Sequence, residues 1–170
     1  SGKNIVIKYG GHAMDNGNLA ENFSKDIGLL KEVGINPIVV HGGGPQIGQM
    51  LKKKKIDSNF VEGLRVTDEE TVKVVEEVLA NDINKKIVED IISSGGKAMG
   101  FAGNQNNLIT AKKLEMAVKD SDSNIEKILD LGFVGEPISI NSSFINDNIV
   151  KGIIPVIAPL GRDEKGNTYN

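Results

Sequence analysis

The chain has 170 residues, of which 39% are hydrophobic and 25% charged, as is typical of a single soluble globular domain. The formal net charge of −3 and the 4% aromatic content argue against a nucleic-acid partner, and the absence of cysteine excludes disulfides, thiolate chemistry and cysteine-ligated zinc. No apolar run approaches the roughly 20 residues of a membrane helix and no leader-like segment is found, so we expect a cytoplasmic protein with no membrane partner.

The first part of the chain predicts a strand, a helix and a second strand. An apolar run over residues 5–9 predicts the first strand. Asn18 followed by Glu21 predicts the N-terminal cap of a helix, and apolar residues then recur at helical spacing. Residues 37–40 are almost all apolar, as expected of a parallel strand covered on both faces. This βαβ pattern favours an α/β fold with a parallel sheet.

Glycines follow both of these strands. Gly10 and Gly11 follow the first, and a run of three glycines at residues 42–44 follows the second. Backbone without side chains presents N–H groups to a ligand that approaches closely, most simply an anion. Because Lys8 lies at the end of the first strand, we interpret the two runs as one phosphate-handling site. The second run is one residue too long for the dinucleotide-binding fingerprint. Gly43 and Gly48 have the Walker A spacing, but Gln49 and Met50 stand where that motif needs lysine and serine or threonine.

Helices and a short hairpin are predicted for the middle of the chain. A helix over residues 45–51 directly follows the three glycines. Residues 59–67 alternate between apolar and polar around a glycine, which predicts a short hairpin. Thr67 and Glu70 form a capping box, and two amphipathic helices follow it, with apolar stripes over residues 72–79 and 83–92.

The remaining residues predict further strands of the same domain, with no internal repeat or linker to divide it. The predicted segments are a strand at 98–102, a polar turn at 103–107, an extended segment at 108–111, a loop at 119–124, a hairpin at 131–140, a helix at 142–150 and a strand at 153–158. Residues 166–170 resemble the start of another strand. Strand pattern lies close to both ends, so we expect the chain to be part of a longer protein.

Several kinds of catalytic site are excluded by the residues available. His12 and His41 are the only histidines, and no metal-binding constellation or G-x-S-x-G motif is present, so we predict no metal site. Each histidine lies beside a glycine run, where a structural role is at least as plausible as a chemical one. Positioned charge is the chemistry that remains.

Three motifs, in this order, carry a more specific resemblance. They are KYGGHAM at residues 8–14, VHGGGPQI at residues 40–47 and GLRVTD at residues 63–68, with further matches at residues 84–85, 130–136 and 154–159. Together they resemble the acetylglutamate kinases of the amino acid kinase family over essentially the whole chain. The resemblance implies a three-layer αβα sandwich with a mainly parallel sheet. Residues 1–170 resemble only the N-terminal, acetylglutamate-binding half, and the ATP-binding domain lies outside this chain.

The activity implied is the transfer of a phosphoryl group from ATP, with Mg²⁺, to the side-chain carboxylate of N-acetyl-L-glutamate in arginine biosynthesis. The resemblance also implies a homo-oligomer: a dimer through this half, or a hexamer where an N-terminal helix precedes the chain. The family's second catalytic lysine lies beyond Asn170, so we expect the isolated chain to be inactive. Another member of the family, such as an aspartate, carbamate or uridylate kinase, and a non-catalytic binding or assembly domain remain alternatives.

The resemblance assigns roles to individual residues. The catalytic residue is Lys8, the path of the phosphoryl group is lined by Gly10 and Gly11, and the substrate is bound by Gly43, Gly44, Arg65 and Asn170. These residue types suit the chemistry, because phosphoryl transfer needs alignment and positive charge rather than a covalent intermediate. Arginine suits a carboxylate because its guanidinium donates two parallel hydrogen bonds.

Overall fold

The computed structural model describes residues 2–119 and 126–170. Within them the strands are β1 (Asn4–Tyr9), β2 (Asn36–His41), β3 (Phe60–Val61), β4 (Leu64–Arg65), β5 (Ala98–Ala102), β6 (Ile109–Lys113), β7 (Met116–Lys119), β8 (Glu126–Leu129), β9 (Gly135–Ile140), β10 (Ile154–Ala158), β11 (Gly161–Arg162) and β12 (Thr168–Tyr169). The helices are α1 (Gly11–Met14), α2 (Gly17–Glu32), α3 (Gly44–Lys53), α4 (Glu69–Glu76), α5 (Asn84–Ser93) and α6 (Ser142–Val150), and a π-helical segment (Glu77–Ile83) joins α4 to α5. In this part of the chain no helix has both the length and the apolar character needed to cross a membrane.

A central sheet of parallel strands, in the order β1, β2, β10, β5, organises the fold. Tyr9 pairs with His41 across β1 and β2, and Ile157 pairs with Phe101 across β10 and β5. The four strands that the sequence predicts here are confirmed to within one residue at each end. Because the strands are parallel, their carboxyl ends share one edge of the sheet, and both glycine runs lie at that edge.

Helices cover both faces of this sheet, which confirms the predicted αβα sandwich. On one face, α2, α5 and the π-helical segment pack against Val39 and Val156, which are completely buried. On the other face, Ile149 of α6 packs with Ile38 and Ile157. Successive side chains along a strand point to opposite faces, so the apolar strands supply both layers of the core. Each fully buried valine or isoleucine stabilises the fold by about 1.5–3 kcal/mol relative to an exposed one.

A second sheet, in the order β12, β11, β6, β9, extends the fold beyond the parallel sheet. The pairing of β6 with β9 is antiparallel, and so is that of β11 with β12. The sequence predicts a strand around residues 108–111 and another near 166–170, and β6 and β12 confirm both. The assembly of these short strands into a separate sheet was not predicted.

The hairpin predicted over residues 131–140 is wrong. Instead of pairing within this segment, β9 pairs with β6, and the residues before it pair with Thr67. Thr67 donates its N–H to the Leu131 carbonyl at 2.8 Å and accepts from the Phe133 N–H at 2.6 Å. Gly132, with φ of 75°, allows this approach, because a Cβ there would overlap the Thr67 carbonyl oxygen. The glycine therefore serves a close backbone contact rather than a hairpin turn.

Two helix caps differ from their predicted positions, the first by two residues and the second by one. Asn16, rather than Asn18, caps α2 by accepting from the N–H groups of Asn18 and Leu19. Asp68, rather than Thr67, caps α4 by accepting from the Thr71 N–H at 2.7 Å. Thr67 is fully buried, and its hydroxyl is turned towards the Arg65 carbonyl, to which it donates at 2.8 Å. Hydrogen bonding of the cap also lowers the pKa of Asp68.

The two amphipathic helices predicted for residues 72–92 form one continuous helical run. Residues Glu77 and Ile83, at the junctions, keep right-handed helical backbone angles. Buried apolar residues recur every four positions from Val75 to Ile91, a longer spacing than the 3.6 residues of an α-helical turn. In an unbroken α-helix such a stripe would drift around the axis. Turns of a π-helix hold more residues, so this segment returns the stripe to the core.

Other local predictions agree with the structure. The hairpin at residues 59–67 is confirmed by the pairing of β3 with β4, the helix at residues 142–150 matches α6, and residues 103–107 form the expected turn. The loop predicted at residues 119–124 lies, apart from Lys119, outside the described residues. Lys119 ends β7, which pairs with β8, and this pairing was not predicted.

Candidate functional site

The two glycine runs contact each other at the carboxyl edge of the central sheet. The Gly42 N–H donates to the Tyr9 carbonyl at 2.8 Å, which joins the end of β2 to the end of β1. A Cβ on Gly11 would lie 3.3 Å from the Gly43 Cα and 2.8 Å from Pro45 Cδ. Side chains at these positions would separate the loops, so the close contact requires glycine. The fold thus brings the two runs into contact, as their positions after neighbouring strands predict.

Gly43 and Gly44 differ in their surroundings. A Cβ on Gly43 would lie 2.5 Å from Ile83 Cδ1 and 2.6 Å from Leu79 Cδ2, so Gly43 packs tightly against the π-helical segment. A Cβ on Gly44 would meet nothing within 4 Å. Gly44 begins α3, whose first turn contains no acidic residue. The first N–H groups of a helix have no intrahelical partner, so this end can bind an anion.

Arg65 lies beside this helix end and is buried, with 7% of its surface exposed. Its guanidinium donates to the Gly44 carbonyl at 3.0 Å and to Ser58 Oγ, and it lies 4.5 Å from the centre of the Phe60 ring. Within residues 2–119 and 126–170 no carboxylate forms an ion pair with it. Burial lowers the pKa of Arg65. A buried cation with no acidic partner favours the binding of an anion at this position.

Lys8 lies on the opposite face of β1 from Tyr9. It pairs in register with Val40 of β2, and its side chain is exposed. Tyr9 instead stacks on Phe23 of α2, with ring centres 3.8 Å apart. Since successive side chains alternate across a strand, Lys8 points to the face of the sheet that α2 does not cover. Its ammonium group is therefore accessible to a ligand at the carboxyl edge.

Asn170 reaches the site region through backbone pairing. Its N–H donates to the Phe133 carbonyl at 2.8 Å, and its carbonyl accepts from the Gly135 N–H at 2.9 Å. Phe133 in turn pairs with Thr67, two residues after Arg65. Among the described residues, the Asn170 side chain forms no hydrogen bond to Arg65 or to either glycine run. The structure thus clusters Gly11, Gly43, Gly44 and Arg65 by direct contact. Asn170 is linked to the Arg65 segment only through the backbone of Phe133.

His41 is buried beneath the second glycine run, whereas His12 is exposed on α1. The Nδ1 of His41 lies 2.9 Å from the Gly42 carbonyl oxygen, and the Nε2 of His41 lies 3.1 Å from Asn84 Nδ2. Burial lowers the pKa of His41, so the imidazole is neutral at neutral pH. The structure therefore supports the structural interpretation of His41 over a catalytic one.

Two residues that contribute to this arrangement have no role in the sequence prediction. Gln46 donates to the Gly11 carbonyl and to Asp15 Oδ1, both at 2.8 Å, and so links the two loops. Asn84 donates to His41 and, at 2.9 Å, to the Val156 carbonyl. Asn84 lies on the same helical stripe as Ile87 and Ile91, and a polar residue on an apolar stripe is a signal that could have found it.

A cavity of about 910 Å³ opens between α2, α3, α5 and the π-helical segment, on the opposite side of β1 from Lys8. Its lining includes Tyr9, Gln46 and Ile83, but none of the residues predicted for the site. Among the described residues, no group of three or more histidine or acidic side chains could hold a metal ion. The start of α3 and the Arg65 guanidinium beside it suit the glycine edge to the binding and alignment of anions.

Comparison with curated proteins relates this arrangement to known enzymes. The acetylglutamate kinases of Erythrobacter litoralis and Rhodospirillum rubrum are 54% and 55% identical to this chain over 170 residues, which is 100% of its length. The chain spans only 57% and 55% of those relatives. It therefore corresponds to a little over half of such a protein.

Solved structures show the same fold. The protein smu.665 from Streptococcus mutans UA159 superposes with a TM-score of 0.82 at 26% identity, over 98% of this chain and 62% of that one. The N-acetylglutamate synthase of Neisseria gonorrhoeae, solved with coenzyme A and N-acetyl-glutamate, gives 0.77 at 21% identity, over 99% and 36%. A profile of the amino acid kinase family matches residues 3–170. Because that match covers nearly the whole chain, the protein belongs to the amino acid kinase family.

Proposed function

We propose that this chain is the acetylglutamate-binding part of an acetylglutamate kinase. The whole protein would transfer the γ-phosphoryl group of ATP to the side-chain carboxylate of N-acetyl-L-glutamate, giving N-acetyl-L-glutamyl 5-phosphate for arginine biosynthesis. Identity of 53–55% to curated acetylglutamate kinases supports this substrate over those of more distant family members. The observation in the structure that carries the proposal is Arg65, a buried guanidinium with no acidic partner among the described residues.

The acceptor carboxylates would bind to the carboxyl edge of β2. Arg65 would pair with the α-carboxylate, since its guanidinium already contacts the Gly44 carbonyl at the start of α3. The N–H groups of Gly43 and Gly44 would bind the other end of the substrate at the helix N-terminus. Asn170 would complete the site from the neighbouring strands. Binding at these positions holds the reacting carboxylate towards the first glycine run, which contacts Gly43.

The phosphoryl group would lie over the end of β1. Gly10 presents open backbone there, since a Cβ at this position would meet nothing within 4 Å, and the buried Gly11 lets this loop approach the second glycine run. In the reaction an acceptor oxygen bonds to the γ-phosphorus, and the bond to the bridging oxygen of ADP breaks. Negative charge spreads over the oxygens of the transferring group. Lys8 would stabilise that charge, which makes it the catalytic residue of this half.

The nucleotide and its Mg²⁺ would be held mainly by the part of the protein outside this chain. In this view residues 1–170 form one N-terminal domain, and an ATP-binding domain completes the active site. The isolated chain would then bind acetylglutamate weakly and turn over little or nothing. We also propose that the whole protein is cytoplasmic and assembles as a homo-oligomer, with a dimer contact in this half.

A substrate panel on the full-length protein tests this function. ADP release would be measured with acetylglutamate, aspartate, carbamate and uridine monophosphate as acceptors. We expect acetylglutamate to have the highest kcat/KM. Preference for another acceptor would assign the protein to a different member of the family, and no turnover with any acceptor would favour a non-catalytic binding domain. Titration calorimetry of the isolated chain with acetylglutamate, with Arg65→Ala as control, separates weak binding from none.

A further inference from the structure

Two hydrogen bonds in series, from Asn84 to His41 and from His41 to the Gly42 carbonyl, connect α5 to the peptide that precedes Gly43, and a third joins Asn84 to β10. A carbonyl oxygen can only accept, so the 2.9 Å contact with the Gly42 oxygen requires a proton on His41 Nδ1. Asn84 Nδ2 donates to the Val156 carbonyl at 2.9 Å, which orients the amide so that the same nitrogen also donates to His41 Nε2 at 3.1 Å. The two contacts with His41 are consistent only with the neutral ring protonated at Nδ1.

The bond to the Gly42 carbonyl also determines the direction of the next N–H. In a planar trans peptide, the carbonyl of one residue and the N–H of the next point in opposite directions. His41 lies on the same face of the sheet as its register partner Tyr9, where the helical layer containing Asn84 packs. With the Gly42 carbonyl turned towards His41, the Gly43 N–H points away from that layer, to the side on which Lys8 lies.

We propose that Asn84 is a positioning residue that acts through His41 to orient the Gly43 N–H towards the acceptor substrate. This inference rests on the proposed function, because it concerns how the acetylglutamate-binding edge is held. It gives a role to two residues that touch neither substrate in the proposed site. It also gives a function to a buried polar pair that lies beside the main apolar cluster.

The surroundings of Asn84 support this role. Leu79 and Ile83 of the π-helical segment pack on Gly43, and Asn84 directly follows them, so one stretch of helix both packs on the loop and hydrogen-bonds to His41 just before it. π-Helical turns often occur at functional sites. On β5, Gly100 leaves room for the amide, because a Cβ there would overlap Asn84 Oδ1.

The competing interpretation is that the pair only satisfies buried polar groups and stabilises the fold. Gly100→Ala and Gly96→Ala distinguish the two. Both add a methyl group between α5 and the sheet, but a Cβ added at Gly96 would press on Ile91 Cγ2 at 2.6 Å and would not reach Asn84. Both should lower the free energy of unfolding. Only Gly100→Ala displaces the Asn84 amide, so only it should weaken acceptor binding.

The test uses the full-length protein and measures KM for acetylglutamate and for ATP separately. For Asn84→Leu and Gly100→Ala we expect KM for acetylglutamate to rise about 10-fold, the effect of weakening one hydrogen bond to a charged group, with KM for ATP changed less than about two-fold. The ¹⁵N shifts of His41 should report the lost contact at Nε2, whereas in Gly96→Ala both the shifts and the two KM values should stay as in the wild type. Equal effects of Gly96→Ala and Gly100→Ala on KM would overturn the proposal.

A second pair of variants covers the case in which Asn84→Leu does not fold. The amide nitrogen of His41→Asn lies close to the place of Nδ1 and can still donate to the Gly42 carbonyl, whereas His41→Leu cannot. We expect His41→Asn to retain most of the affinity for acetylglutamate and His41→Leu to lose it. Equal KM values in these two variants would overturn the proposal. A wild-type protein inactive with acetylglutamate would instead reject the proposed function, which the variants do not test.

Discussion

Gly43→Ala tests how tightly the second glycine run is held against the helical layer. The added Cβ would lie 2.5 Å from Ile83 Cδ1 and 2.6 Å from Leu79 Cδ2, about 1 Å closer than an ordinary contact between carbon atoms. Both partners are core residues, 7% and 2% exposed, so neither can turn into solvent to relieve the overlap. Gly44→Ala is the matched control, because its Cβ would meet nothing within 4 Å.

The expected cost follows from that geometry. Adding a methyl group to a well-packed core usually destabilises a protein by about 1–3 kcal/mol. For a chain of this size, such a loss lowers the melting temperature by roughly 2–12 °C, at about 2–4 °C for each kcal/mol. Gly44→Ala should change the free energy of unfolding by no more than about 0.5 kcal/mol. The contrast between neighbouring glycines is therefore the measurable quantity.

Urea unfolding followed by circular dichroism measures both variants. The same measurement is repeated in an Ile83→Val background, which lacks the Cδ1 atom nearest to the new methyl group. In that background Gly43→Ala should cost less than in the wild type, and the difference is the coupling energy between the two positions. Equal stability losses for Gly43→Ala and Gly44→Ala, or no coupling with Ile83→Val, would refute the packing argument.

Three further predictions concern the charged and titratable groups. Lys8→Ala in the full-length protein should lower kcat on the order of 10²-fold or more with folding intact. The control is Lys3→Ala, which replaces an exposed lysine just before the same strand and should leave kcat unchanged. An unchanged kcat in Lys8→Ala would remove Lys8 from the chemistry. Arg65→Ala should raise KM for acetylglutamate about 10- to 100-fold, and an effect confined to KM for ATP would mean that the arginine binds the other substrate. Because burial lowers the pKa of His41, the unfolded chain takes up a proton first as the pH falls below about 6.5, so stability should decrease there by up to about 1.4 kcal/mol per pH unit. Urea unfolding at pH 7.5 and 5.5, compared with His41→Asn, measures this loss, and an identical pH dependence in the variant would contradict it.

The parts of the fold predicted correctly are those whose signals are local. β1 and β2 are apolar runs ended by glycines, and α6 begins after a capping asparagine, Asn141, whose side chain accepts from the Phe144 N–H. Capping, periodicity and turn chemistry all act over a few residues, so a single sequence contains them. The second sheet could not be predicted this way, because its pairs join residues far apart in the chain, such as Arg162 with Thr110.

The candidate site divides in the same manner. Lys8, the glycines and Arg65 are found from motif resemblance, since each lies in a short run of characteristic residues. Asn84 and Gln46 belong to the same kind of runs, but their roles depend on partners more than thirty positions away. A side chain that acts through a distant backbone carbonyl leaves little trace in its own neighbourhood.

By itself, the sequence determined an α/β chain with glycine runs after two strands, a lysine and an arginine beside them, and a resemblance to one kinase family. Only the tertiary structure decided that Gly11 and Gly43 contact each other and that Arg65 is buried without an acidic partner among the described residues. It also decided that His41 accepts a hydrogen bond from Asn84. The reason is physical. Residue types and short periods specify which groups are present, but burial and hydrogen-bond geometry arise only when segments distant in the chain pack together.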